Sequence, residues 1–98
     1  MTIDDFRTSL AAKTPPSLSL ALQALWWDGK GDWTRAHECA QAQDDGEGAW
    51  VHAYLHRKEG DLGNADYWYR RAGRTRPAVS LGQEWEEVVS ELLRRSGL

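Results

Sequence analysis

Gly31-Asp32-Trp33-Thr34-Arg35-Ala36 returns 29 residues later as Gly60-Asp61-Leu62-Gly63-Asn64-Ala65, and this recurrence decides the fold. Glycine adopts the left-handed backbone that ends a helix, and an aspartate directly after it accepts from the free N–H groups of the next helix. Gly-Asp is therefore a helix stop followed by a helix start. The alanine four residues beyond each aspartate marks a place where two helices approach closely. Ala24 and Ala53 fall in register with the same offset, so the unit is a helix–turn–helix hairpin present twice.

Outward from the repeat, apolar residues recur three and four apart and no segment alternates with period two, which predicts an all-α chain. Ile3, Phe6 and Leu10 form a first helix within residues 1–13, stopped by Pro15 and Pro16. Ser17 is the expected cap of a second helix carrying Leu18, Leu22, Leu25 and Trp26 on one face. Trp33, Ala36, His37 and Ala40 line the inner face of the third. Asp44 to Gly48 reads as a turn, with a helical pattern from Trp50 to Glu59 and another from Leu62 to about Gly73. Ser80 and Gln83 have capping-box spacing ahead of the stripe Leu81, Trp85, Val88, Val89, Leu92 and Leu93, with Glu84, Glu86 and Glu87 early and Arg94 and Arg95 late, as the helix dipole favours. The expected architecture is one domain over residues 1–98: a compact five- or six-helix bundle of two hairpins within 17–77, sealed by the N-terminal helix and a capping helix over 80–96. Six tryptophans in 98 residues must supply much of its buried area.

The repeat resembles the tetratricopeptide repeat over roughly residues 18–77. Gly60, Asp61, Ala65, Tyr69, Ala72 and Pro77 match that family's offsets in the second copy, and Gly31, Asp32, Trp33 and Ala36 match in the first. Departures are Ala40 in place of a large residue, Ala49, His52, Ala53 and His56 in place of the family's first-helix pattern, and a period of 29 against about 34 in the family. The runs Trp26–Trp33 and Tyr67–Arg74 are also similar to those of small bacterial repeat-like proteins. The resemblance implies a non-enzymatic domain that binds a protein or peptide, or a second copy of itself, across the face carrying Trp50, Tyr54, Arg57 and Lys58. Tryptophan, tyrosine and arginine concentrate binding energy at protein interfaces.

Two other chemistries are written in the chain. The segment Tyr67–Arg76 places Arg70, Arg71, Arg74 and Arg76 beside aromatics, a composition that grips anions or stacks on bases. Against nucleic acid stands the net charge of −3, from 15 acidic and 12 basic residues. His52 and His56, four apart, share a helix face with Glu59 one turn on, and His37 or Asp66 would complete a metal site if folding brings it close. With only two local nitrogens, the reading adopted is core histidines, no metal and no cofactor. Ala53 after His52 excludes the metalloprotease pattern, and the lack of strands excludes a strand-borne phosphate loop. Cys39 lies two residues from His37, on a different side of the helix, and reads as a small buried apolar group rather than a nucleophile. A single cysteine, with no apolar run of leader or bilayer length, places the expected chain in the cytoplasm and off the membrane.

Overall fold

Every helix of the protein begins on a side chain that satisfies its first free backbone donors. Thr2, Ser19, Asp32, Asp45, Asp61 and Ser80 accept from the N–H groups of Asp5, Leu22, Arg35, Gly48, Asn64 and Gln83. A computed structural model describes residues 1–97, and Leu98 lies outside the described residues. The helices are α1 (Ile3–Ser9), α2 (Leu20–Gly29), α3 (Trp33–Ala42), α4 (Gly46–Glu59), α5 (Leu62–Arg71) and α6 (Leu81–Ser96), with no strand among the described residues. None of these helices is long and apolar enough to cross a membrane.

The two Gly-Asp turns are built alike. Gly31 and Gly60 have φ of +84° and +88°, a backbone that costs other residues dearly. The amides that follow reach back over the helix end, Asp32 N to Trp27 O at 2.9 Å and Asp61 N to His56 O at 3.0 Å. Chain direction thus reverses twice at the same offset, pairing α2 with α3 and α4 with α5. Ala24, Ala53, Ala36 and Ala65 are all fully buried, so each identity in the repeat has the same role in both hairpins. Replacing Ala36 or Ala65 by leucine is expected to cost about 1–3 kcal/mol through overpacking. Chemical denaturation measures this, and an unchanged midpoint in both variants would place the hairpin contacts elsewhere.

Helix α4 is the centre of the domain, flanked by α3 and α5, while α6 lies against α4 and α2 and α1 packs on α6. The core is Phe6, Leu22, Leu25, Trp26, Val51, Leu55, Tyr69, Val88, Val89 and Leu92. Trp85 joins the terminal helices to the first hairpin: its Nε1 donates to Leu25 O at 3.0 Å and its ring lies 5.7 Å from Phe6. The two terminal helices therefore cover the hairpins jointly from one side.

Three boundaries differ from the sequence reading. The second helix is capped by Ser19 rather than Ser17, which leaves Leu18 ahead of it. The N-terminal helix ends at Ser9, and residues to Ala12 continue as a tight turn whose carbonyls at Leu10 and Ala12 accept from Lys30 Nζ. Residues 46–49 are helical, because Asp45 caps α4 and glycine at position 48 lets the first turn pass against the Gln43 backbone. Gln43 in turn accepts from Ala21 N at 2.7 Å, fixing this joint to the start of α2.

Candidate metal centre

The α4 sequence Val51-His52-Ala53-Tyr54-Leu55-His56 alternates two faces. Val51 and Leu55 enter the core with Tyr54, while His52 and His56, one turn apart, sit in the groove between α3 and α5 with 5% and 6% exposure. From α3, His37 completes the cluster: its Nε2 lies 3.0 Å from His52 Nε2. One ring nitrogen from each of the three histidines falls within 4.8 Å of both others. Four tetrahedral bonds of about 2.0–2.1 Å to zinc separate donor atoms by about 3.3 Å, a spacing near the 3.0 Å between the His37 and His52 nitrogens.

Neighbouring groups hold these rings in place. Trp33 stacks on His37 at 4.9 Å and 13°, and Trp68 stacks on His52 at 4.0 Å and 19°. Trp33 is anchored by its Nε1, which donates to Leu55 O at 3.0 Å. His56 Nδ1 donates to Glu59 Oε1 at 2.5 Å, leaving Nε2 as an acceptor, 3.3 Å from Asn64 Nδ2. A carboxylate on the far nitrogen fixes the tautomer and the ring orientation, as the usual outer partner of a metal-bound imidazole does.

The electrostatics favour lone pairs over protons. Burial, with His37 and His56 close by, pushes His52 down to about 4. Burial and His56 also lower His37, against a smaller opposing pull from Glu59 and Glu38. Both rings are neutral at pH 7, the form a metal requires. Their titration has a consequence for stability. Below the ordinary histidine value near 6.5 the unfolded chain takes up protons that the folded one refuses, so stability is lost as pH falls from about 6.5 towards 4. The metal-free protein is expected to lose roughly 3 kcal/mol over that range from His52, with His37 acting in the same sense. Urea midpoints at pH 7, 5.5 and 4.5 measure it, and a flat profile would contradict the burial described for His52.

The other residues marked by the sequence fall elsewhere. Trp50 and Tyr54 are both buried, Trp50 beneath the guanidinium of Arg74 at 3.5 Å, and Tyr54 donating to Asp28 at 2.9 Å. Lys58 pairs with the same Asp28 at 2.8 Å, and Arg57 pairs at 2.8 Å with Glu84, a carboxylate that Tyr69 also bonds. All four side chains therefore make contacts within the domain, Trp50 and Tyr54 buried, Arg57 half-buried and Lys58 exposed. Cys39 is half-buried rather than enclosed as expected, and its partial burial raises the thiol above its ordinary value, away from the thiolate form. Asp66 bonds Arg76 at 3.2 Å rather than joining the histidines. Arg70, Arg74 and Arg76 share one depression, whereas Arg71 turns to Tyr67 and Trp68. Trp33, four residues before His37 on one helix face, is within reach of sequence reading, whereas Asn64 and Trp68 have no local signal for the site and become visible only once α5 is laid beside α4.

No family model matches the chain, and neither a curated protein nor a solved structure matches it.

Proposed function

We propose that this domain binds one divalent transition-metal ion, zinc foremost, through His37, His52 and His56. The observation that carries the reading is the convergence of ring nitrogens from two buried histidines and a half-buried one on two helices, two of the three with depressed proton affinity. Imidazole donors select zinc, copper, nickel or cobalt over calcium and magnesium, which prefer oxygen. A set of three protein nitrogens leaves one position of a tetrahedral ion for water or an external ligand, as in reactive rather than purely structural zinc sites. The hairpin scaffold supplies rigidity: each ligand stands on a helix, and each tryptophan stack limits ring rotation.

Cobalt(II) tests the reading, because its visible absorption reports the ligand number and geometry around it. The protein is expected to develop a tetrahedral cobalt spectrum that saturates at one equivalent and is bleached by zinc. His37→Ala and His52→Ala should both lose it. A titration without saturation, or one indifferent to both substitutions, would reject the site.

A further inference from the structure

The charge map of the arginines is uneven. Arg7, Arg35, Arg57, Arg94 and Arg95 each have a carboxylate within 4.0 Å. Arg70, Arg71 and Arg74 have none among the described residues, in a chain with more acids than bases. Arg70 and Arg74 border the same surface depression, of about 350 Å³, together with Thr75, Arg76, Tyr69 and Asp66.

Two of its three guanidiniums are held before any ligand arrives. Arg74 lies 3.5 Å from the centre of the Trp50 ring, a cation–π contact that leaves its N–H edge free to donate. Arg76 is held by Asp66 Oδ1 at 3.2 Å through its Nε, which leaves its terminal nitrogens as donors. Arg70 is exposed and unpaired, and Thr75 adds a hydroxyl. Three arginines against one aspartate leave two positive charges over a basin of small-molecule size. Planar guanidiniums donate in pairs to tetrahedral oxyanions, which matches a dianion better than a carboxylate.

We propose that this basin binds a phosphate group, carried by a small phosphomonoester or as free phosphate, independently of the histidine cluster. The size of the basin and the negative total charge disfavour a long polyanion, whose binding depends on many phosphate contacts. Arg71, held at Tyr67 on another face, is outside the site.

Metal-free, ¹⁵N-labelled protein titrated with inorganic phosphate, O-phosphoserine or a single-stranded decanucleotide separates the cases, since amide shifts locate binding and the lack of metal removes the histidine site. Saturable shifts confined to residues 66–76 are expected with phosphate or phosphoserine, and the tighter of the two identifies the source. Arg70→Gln and Arg74→Gln should each weaken binding about tenfold by removing a charge-assisted pair, whereas Arg71→Gln should leave it unchanged. All three positions are on the surface, so the remaining shifts report that the variants are folded. The absence of saturation below about 10 mM, equal affinity in all three variants, or tighter binding of the oligonucleotide than of both small anions would overturn the proposal.

Discussion

Zinc at a thousandfold excess over its dissociation constant is expected to stabilise the protein by about 4.1 kcal/mol and to raise its melting temperature by roughly 15–30 °C, given the melting behaviour of domains of this size. The size of the effect follows from where the ligands come from. His52 and His56 are near in sequence, but His37 joins them only when α3 packs on α4, so the unfolded chain offers at most a weak two-histidine site. The increment should vanish in His37→Ala and His52→Ala and on addition of a chelator. His52→Ala also leaves space beneath Trp68, which lowers the metal-free melting temperature by itself. The informative quantity is therefore the zinc-dependent increment within each variant. An increment retained in both variants would mean that zinc binds elsewhere.

Gly48→Ala is expected to be among the most damaging single substitutions, costing about 4 kcal/mol or more. A Cβ built at position 48 would stand 1.8 Å from the Gln43 carbonyl oxygen and 2.9 Å from its carbon. Both are backbone atoms and cannot rotate away, so the joint between α3 and α4 has to move. That movement strains the Gln43 bond to Ala21 N and the Asp45 cap of α4, and it shifts His52 one turn along. Gly46→Ala is the matched control, since nothing lies within 4 Å of a side chain there and alanine is the better helix former by about 0.5–1 kcal/mol. Urea denaturation of the pair should place the two variants on opposite sides of the parent. Equal stability of both would contradict the close passage at position 48.

Much of the architecture was legible because it depends on local chemistry. The Gly-Asp turns announce themselves through backbone conformation and capping, Ala36 and Ala65 through their spacing, and α6 through an apolar stripe that the structure buries at Val88, Val89, Leu92 and Leu93. The start of α4 was illegible since two glycines in five residues signal a turn, and only the approach of Gln43 shows why one of them stands inside a helix. Glu84 read as a charge favoured by the helix dipole, with nothing to mark it as buried, yet it is 2% exposed between Arg57 and Tyr69. Its partners come from α4 and α5, at distances in sequence that no periodicity measures. Residue types shared by interfaces and cores leave Trp50 and Tyr54 open to both readings in the sequence, and the fold buries both, Trp50 under Arg74 and Tyr54 against Asp28.

The histidine cluster shows the same division. Helical spacing put His52 and His56 on one face, while the third nitrogen depended on how α3 crosses α4. His37 was a conditional partner in the sequence and becomes a direct neighbour in the fold. The Trp33 stack lies within α3, where Trp33 and His37 are one turn apart, while the Trp68 stack on His52 follows from the α4–α5 hairpin that the second Gly-Asp turn specifies.

X-ray absorption at the zinc edge of the loaded protein tests the central claim most directly. Three imidazole nitrogens at about 2.0–2.1 Å and one further light-atom ligand are expected. A sulfur neighbour at about 2.3 Å, which only Cys39 or Met1 could supply, or a spectrum of hydrated zinc without imidazole scattering would contradict it.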